Sequence, residues 1–380
     1  MIELTREQRE IQDLARTFAV REIRPVAAHY DETETVPWPV LEKAHQAGLM
    51  SFTFPEEYGG AGISDTVTAC LVAEELAWGC LSIGNLITSN GFGLGPILTL
   101  GSEEQRQRYV PRFCEPGVVR LSALSVTEPT AGSDAAALKT TARRVEGGYV
   151  LNGRKSWTSN GGYAEIYVIF ATVDPALRHK GITAFVVEKD TPGLAFGKKE
   201  RKMGNRAIPN CEVILEDVFV PEANRVGAEG EGFSGLMSGF DRARVNLGAA
   251  CLGVARAALE YAIGYAKERH AFGRPIGYHQ GVGFMLADMA TQLDAARLLV
   301  WRAALLDDAG QAFSKEASMA KLFASEAAVK ITHDALQVLG GYGYSRDLPL
   351  EKWSRDVRLE EIEEGTSQIQ RLVIARRLLE

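Results

Sequence analysis

The sequence predicts a mainly α chain with a β domain in its middle. Three observations carry this. Apolar residues recur at helical spacing up to about residue 118; from 119 to 228 the period shortens to runs rich in β-branched and aromatic residues; from 229 onward long helical runs return. The expected organisation is an N-terminal helical domain over 1–118, a middle β domain over 119–228 and a C-terminal helical bundle over 229–380.

Residues 5–29 read as an amphipathic helix. Thr5 stands at the N-cap, Ile11, Leu14, Phe18 and Ile23 form the apolar face, and Pro25 is expected to kink it. "PWPVLEKAHQAG" is a short helix ending at Gly48, and residues 55–64 are a loop whose Ser64 is expected to cap the next helix. "SEEQ", 102–105, has the form of a capping box. Strands are expected at 120–126, 149–157, 165–173, 181–189 and 211–220, several of them separated by Asn-Gly, Gly-Gly or Pro-Gly pairs. They predict a small antiparallel barrel or sandwich. Long helices follow near 233–268, 279–308, 314–339 and 366–379, with a shorter one near 349–357, and four long helices with short connections predict a bundle.

The bulk numbers narrow the function classes. A chain of 380 residues with 46% hydrophobic content can bury a large core, and a net charge of −7 without a basic, aromatic-laced stripe makes nucleic acid an unexpected partner. Five scattered cysteines without C-x-x-C spacing point to reduced thiols in a cytoplasmic protein, and the six histidines show no metal-ligand spacing, so no metal is expected. The N-terminal stretch has neither the apolar core of a signal peptide nor the composition of a transit peptide, and the uncharged run 76–102 is interrupted throughout by polar residues and glycines, so no membrane span is expected.

Several motifs have both a bland and a chemical reading. "GEGFSG", 230–235, fits G-x-G-x-x-G, but helices follow it and no second parallel strand does, so a dinucleotide fold is excluded and an interdomain turn remains. "SVTEPTAGSD", 125–134, can offer hydroxyls and backbone N–H groups to a polar ring; alone it reads as a surface turn. "KSWTSNGG", 155–162, places Trp157 at a strand end beside glycines, either as a core residue or as the wall of a planar cofactor site. "FDRARVNLGAACLG", 240–253, combines charges with a small-residue face for close helix packing. "ERHAFGRPIGYHQ", 268–280, brings an Arg and an aromatic suited to a diphosphate and an adenine, and "QVLGGYGYSRD", 337–347, lets backbone approach a ligand. Finally, "EEIEEGTSQIQR", 360–371, sets Glu363 and Glu364 side by side against Gly365, although adjacent carboxylates repel.

Together these motifs resemble those of the acyl-CoA dehydrogenases, the medium- and short-chain enzymes most of all. The resemblance spans essentially the whole chain and rests on "VTEPTAGSD", "NGRKSWTSNGG", "ERHAFGRPIGYHQ", "QVLGGYGYSRD" and "EGTSQIQR", in the family's order and spacing. It implies a helical domain, a middle β domain and a C-terminal four-helix bundle, with FAD as cofactor. Val126 and Thr127 would meet the flavin pyrimidine edge; Trp157 and Ser159, the latter commonly Thr in the family, would lie along the ring. Arg269, Phe272, Gln280, Gln337 and Gly341 would hold the diphosphate and adenosine half across subunits of a homotetramer, and Thr366 and Gln368 would lie near the FAD phosphates. Glu364 matches the catalytic base that removes the α-proton of an acyl-CoA, with hydride passing to flavin N5 and an electron-transfer flavoprotein as acceptor. Some members carry the base before Arg244, where this chain has Ala243. Ser133, Asp241 and Arg244 match positions that touch CoA or order the substrate end, and Glu363 and Gly365 complete the substrate side.

Glu363 departs from the family, whose medium- and short-chain members usually have Tyr there. Two placements are open. It faces the acyl cavity and favours a polar or ring-bearing acyl group, or it turns outward to Arg355 or Arg358 and leaves the cavity wider. Both predict poor use of long straight chains. The uncharged run 76–102 argues against a glutaryl-type substrate. Two competing readings are a flavin-dependent oxidase or monooxygenase on the same fold, and a non-catalytic helical scaffold.

Overall fold

A computed structural model describes residues 3–380. The first helix, α1 (Arg6–Phe18), starts from a reciprocal capping box in which Thr5 accepts from the Gln8 N–H and Gln8 accepts from the Thr5 N–H. Its continuation widens to a π turn at Ala19–Ile23 and tightens to a 3₁₀ turn at Arg24–Val26 before α2 (Ala27–Thr33). Pro25 sits in that 3₁₀ turn, as expected of a residue that donates no N–H. Next come α3 (Trp38–Gln46), α4 (Thr66–Gly79), α5 (Leu81–Thr88), α6 (Asn90–Leu100) and α7 (Glu103–Tyr109). The cap of α4 is Asp65 rather than the expected Ser64: its carboxylate accepts from the Thr68 N–H at 2.8 Å. A full negative charge at a helix N-terminus is favoured over a neutral hydroxyl one residue earlier. The box at Ser102 and Gln105 opens α7 as expected.

The middle of the chain folds as β1 (Ser122–Ser125), β2 (Thr141–Val145), β3 (Gly148–Ser159), β4 (Ile166–Thr172), β5 (Ile182–Glu188), β6 (Leu194–Phe196), β7 (Asn210–Pro221) and β8 (Arg225–Val226). The sheet runs β6-β7-β3-β2-β4-β5-β8, with β1 beside β4. It is mixed, which corrects the antiparallel expectation: β1 pairs parallel with β4, and β2 touches β4 in parallel at Thr141 and Thr172. The β2–β3 hairpin carries the chain back before β4 begins, so β4 enters alongside β1 in the same direction. Sequence reading passed over β2 because its "TARRV" buries only Ala142 and displays both arginines. Residues alternate along β4 and β5. Ile166, Val168, Ala184 and Val186 face a core shared with α6 and α8, whereas Tyr167, Ile169, Phe185 and Val187 face a second core closed by β3 and β7.

The C-terminal part packs α8 (Gly232–Glu268), α9 (Gln280–Asp308), α10 (Ser314–Leu339) and α12 (Ser367–Leu379), with α11 (Leu350–Val357) leading into the 358–366 turn. A short hairpin of β9 (His270–Ala271) and β10 (Arg274–Pro275) joins α8 to α9. The small-residue face of α8 lets it press on α4, where a Cβ at Gly253 would stand 2.2 Å from the Glu74 carbonyl oxygen. Among the described residues α8 alone is long and apolar enough to cross a membrane by length and composition, and most of that stretch is buried in the bundle core.

Candidate active site

A cavity of about 240 Å³ opens where the three parts of the chain meet. The ends of β1 and β3 supply Val126, Thr127, Trp157 and Ser159; α5 and α6 supply Asn85, Thr88 and Phe92; α8 supplies Ala243, Asn246 and Leu247; the 358–366 turn supplies Glu360, Glu363 and Glu364. A second cavity, of about 520 Å³, shares Phe92, Phe240 and Ala243 with the first and runs toward Arg106 and Arg242.

The β wall is held from behind by a buried ion pair. Lys155 Nζ donates to Glu128 Oε1 at 2.7 Å and to the Val126 carbonyl at 3.1 Å. Glu128 also accepts from the N–H groups of Lys139 at 2.6 Å and Thr140 at 2.9 Å. Although burial opposes its charge, Lys155 and these donors hold its carboxyl below the ordinary glutamate value. Trp157 stands in a left-handed conformation (φ 60°) with 58% of its surface exposed at the cavity edge. Asn210 Nδ2 steadies it, donating to the Trp157 carbonyl at 3.2 Å and to Ser159 Oγ at 3.0 Å.

Opposite lies the turn that carries the Glu363–Glu364 pair. Glu364 has φ 52°, a conformation that costs a side-chain-bearing residue about 1–3 kcal/mol and persists only when its surroundings enforce it. Three side chains do so. Arg244 Nε reaches the Glu364 carbonyl at 3.4 Å, Gln370 Nε2 donates to the carbonyls of Glu364 at 3.1 Å and Gly365 at 2.7 Å, and Lys321 Nζ donates to the Gly365 carbonyl at 2.9 Å. Gly365 is itself left-handed (φ 92°), and a Cβ there would lie 2.8 Å from Gln370 Nε2. Burial pushes the Glu364 carboxyl up to about 8, with Glu363 adding to the rise and Lys321 and Arg244 opposing it. Glu363 is raised too, mainly by burial, and Glu360, which is fully buried, lies well above the ordinary value because of burial and Glu363.

Models of the acyl-CoA dehydrogenase N-terminal, middle and C-terminal domains match residues 5–116, 123–218 and 230–379. An acyl-CoA dehydrogenase of Bacillus subtilis (strain 168) is 45% identical over 377 residues, covering 99% of both chains. The chain belongs to the acyl-CoA dehydrogenase family. The mitochondrial short-chain specific acyl-CoA dehydrogenase of Rattus norvegicus is 44% identical over 379 residues, all of this chain and 91% of that one. The solved structure of butyryl-CoA dehydrogenase from Megasphaera elsdenii superposes with a TM-score of 0.96 at 36% identity, covering 100% of both. As an acyl-CoA dehydrogenase the protein is an FAD-dependent oxidoreductase acting on a CH–CH bond.

The residues present fit that cofactor. An exposed, left-handed Trp157 beside Val126, Thr127 and Ser159 offers a flat wall of the size a flavin ring covers. Arg269, Phe272, Gln280, Gln337 and Gly341 all lie exposed and line neither cavity; Phe272 is 96% exposed at the tip of the β9–β10 hairpin. Thr366 caps α12, accepting from the Ile369 N–H, and Gln368 is exposed in the first turn of that helix. The structure thus gathers Val126, Thr127, Trp157, Ser159, Glu363 and Glu364 around one cavity and leaves Arg269, Phe272, Gln280, Gln337 and Gly341 exposed outside it.

On the substrate side, Ser133 is exposed and away from both cavities. Asp241 and Arg244 line neither cavity: they pair at 2.8 Å, and Arg244 is buried against the Glu364 turn. Arg242, one of the charges of "FDRARVNLGAACLG", lines the second cavity. Glu363 lines the first cavity. The outward alternative is overturned, since Arg355 is engaged by Glu351, Asp31 and the Met203 carbonyl, and Arg358 by Glu361.

Proposed function

We propose that this protein dehydrogenates a short-chain acyl-CoA thioester to the trans-2-enoyl-CoA, with Glu364 as the base that removes the α-proton. The observation that carries the reading is a carboxyl at the cavity edge on an enforced left-handed turn, its proton affinity raised into the range a base needs near neutral pH. Among the described residues the Glu364 N–H makes no hydrogen bond within the chain, which leaves it free to donate to the thioester carbonyl and stabilise enolate-like charge. Arg244, Gln370 and Lys321 hold the turn so that N–H and carboxyl face the same space. The acyl chain excludes water from the cavity, which keeps the carboxyl a stronger base than in solution. FAD, when bound, accepts the β-hydride at N5.

The five exposed positions from Arg269 to Gly341 support a homotetramer in which one subunit completes the cofactor site of another. Exposed aromatics close to these positions in the chain, Tyr278, Tyr342 and Tyr344 among them, suit burial between subunits. An electron-transfer flavoprotein in the cytoplasm is the proposed electron acceptor.

Anaerobic mixing with butyryl-CoA tests the reading. The purified protein is expected to carry one FAD per subunit and to bleach. Glu364→Gln should keep FAD and bind acyl-CoA, yet bleach about 10²–10⁴-fold more slowly. Bleaching of Glu364→Gln at near the native rate would remove Glu364 from the mechanism.

A further inference from the structure

One part of the cavity lining is rich in hydrogen-bond acceptors. Glu360 is fully buried, and the nearest donor to its Oε1 is Asn85 Nδ2 at 3.5 Å. Burial and the neighbouring Glu363 raise its proton affinity. Glu363 itself lines the cavity and offers it carboxyl oxygens as acceptors. Asn205 is an independent member of this part of the lining. It is fully buried and lines the same cavity; its N–H and Nδ2 are bound to Asp356 at 2.7 and 2.9 Å, which fixes the amide orientation. Its Oδ1 has no hydrogen-bond partner, and neither has Glu360 Oε2. The cation of this region, Lys202, is already engaged by the Ile208 carbonyl at 2.6 Å and by Asn210 Oδ1.

A plain alkyl end pushed against these groups would strip their water and return no hydrogen bond, at about 1–3 kcal/mol per group. A terminal carboxylate would meet Glu363. The complement is a donor. We infer that the protein prefers a short acyl-CoA whose distal end carries a hydrogen-bond donor, a hydroxyl or an ammonium group, received by Glu363 and Asn205 with Glu360 behind them. The inference rests on the acyl-CoA dehydrogenase reading and names the substrate class of that site.

The test uses the FAD-loaded protein and four thioesters of matched length: hexanoyl-CoA, 5-hydroxypentanoyl-CoA, 5-aminopentanoyl-CoA and glutaryl-CoA, with butyryl-CoA alongside. The expected result is a kcat/KM about tenfold higher for a donor-ended substrate than for hexanoyl-CoA, near the upper worth of one net hydrogen bond. Glu363→Leu should reverse that ranking, and Glu363→Gln, which keeps an acceptor oxygen, should retain part of it. The hydroxyl and amino arms tell the two donors apart. Hexanoyl-CoA ranking with or above both donors, or glutaryl-CoA ranking first through Lys202, overturns the inference. Bleaching by butyryl-CoA in that case leaves the dehydrogenase reading standing; bleaching by none of the five removes that reading itself.

Discussion

Two lysine–carboxylate clusters are buried beside the same cavity, and they are built to opposite plans. Behind the flavin wall, Glu128 receives Lys155 and two backbone N–H groups, and its charge is favoured. In the other cluster Glu360 and Asn205 keep unpartnered oxygens, and burial raises the proton affinity of Glu360 and Glu363. The first cluster is closed: every strong acceptor is met, and nothing remains for a ligand. The second is open, with acceptor capacity left inside the cavity. Buried polarity that is satisfied holds a fold; buried polarity that is unsatisfied marks where something else binds.

The largest effect should come from breaking the closed cluster. Glu128→Ala leaves Lys155, fully buried, without its counter-charge, and removal of one partner from a buried pair costs about 3–5 kcal/mol. The measurement is denaturant unfolding of the FAD-loaded protein, with FAD retention read in parallel, because Lys155, which holds the Val126 carbonyl, loses its own partner. A loss below about 1 kcal/mol would mean that the two clusters are not different in kind.

Much of this contrast was open to sequence reading and part was not. Helix boundaries followed from caps and periodicity, with α8, α10, the N-cap at Thr5 and the capping box at Ser102 found within a residue or so. The Glu363–Glu364 pair announced itself because adjacent acids before a glycine need a reason. Lys155 had a signal that passed unused: alternation along β3 puts it on the same inward face as Tyr149 and Leu151, where a lysine must find an acid. Lys321 had one too, lying in helical register with Ala317, Ala324 and Ala328 on the buried side of α10. Asn205 and Lys202 had none. They sit in an irregular segment without period, and they reach the pocket through tertiary folding of the segment between β6 and β7. The parallel pairing of β1 was equally hidden, since strand propensity carries no direction.

A middle-sized effect separates the acids of the open cluster. Glu363 raises Glu364, so removing its charge should make the base easier to ionise. In the free protein Glu364 lies at about 8, and the acid limb of kcat/KM against pH should report it. Glu363→Gln is expected to move that limb toward acidic pH, as is Glu363→Tyr, which restores the residue usual in the family. An unmoved limb in both variants would uncouple the two glutamates and reduce Glu363 to a group that shapes the pocket.

The smallest effect is a slope of stability with pH, and it should carry opposite signs at the two clusters. The folded-state values of Glu360 and Glu364 lie above the ordinary 4.5. The folded state therefore holds protons that the unfolded chain releases. Their contribution is complete below about 4.5 and is lost as pH rises through the folded values, about 8 for Glu364. Glu128 is depressed instead, so its contribution is complete above 4.5 and is lost as pH falls through its folded value. Lys202, held down to about 8, likewise contributes above its unfolded value and loses that as pH falls through about 8. Its term stays largely in place when only Glu360 is changed, so comparing variants across pH isolates the carboxyl. Glu360→Gln exchanges a carboxyl whose neutral form is favoured by burial for a neutral amide of nearly the same shape. Around pH 6 it should cost little, within the ~1 kcal/mol of one imperfect hydrogen bond, and around pH 9 it should be as stable as the native protein or more so, because the native protein must ionise or hold a costly proton there. Urea unfolding at the two pH values checks this. A Glu360→Gln deficit that grows with pH would mean that Glu360 is a paired carboxylate like Glu128, and that its cluster is a second closed one.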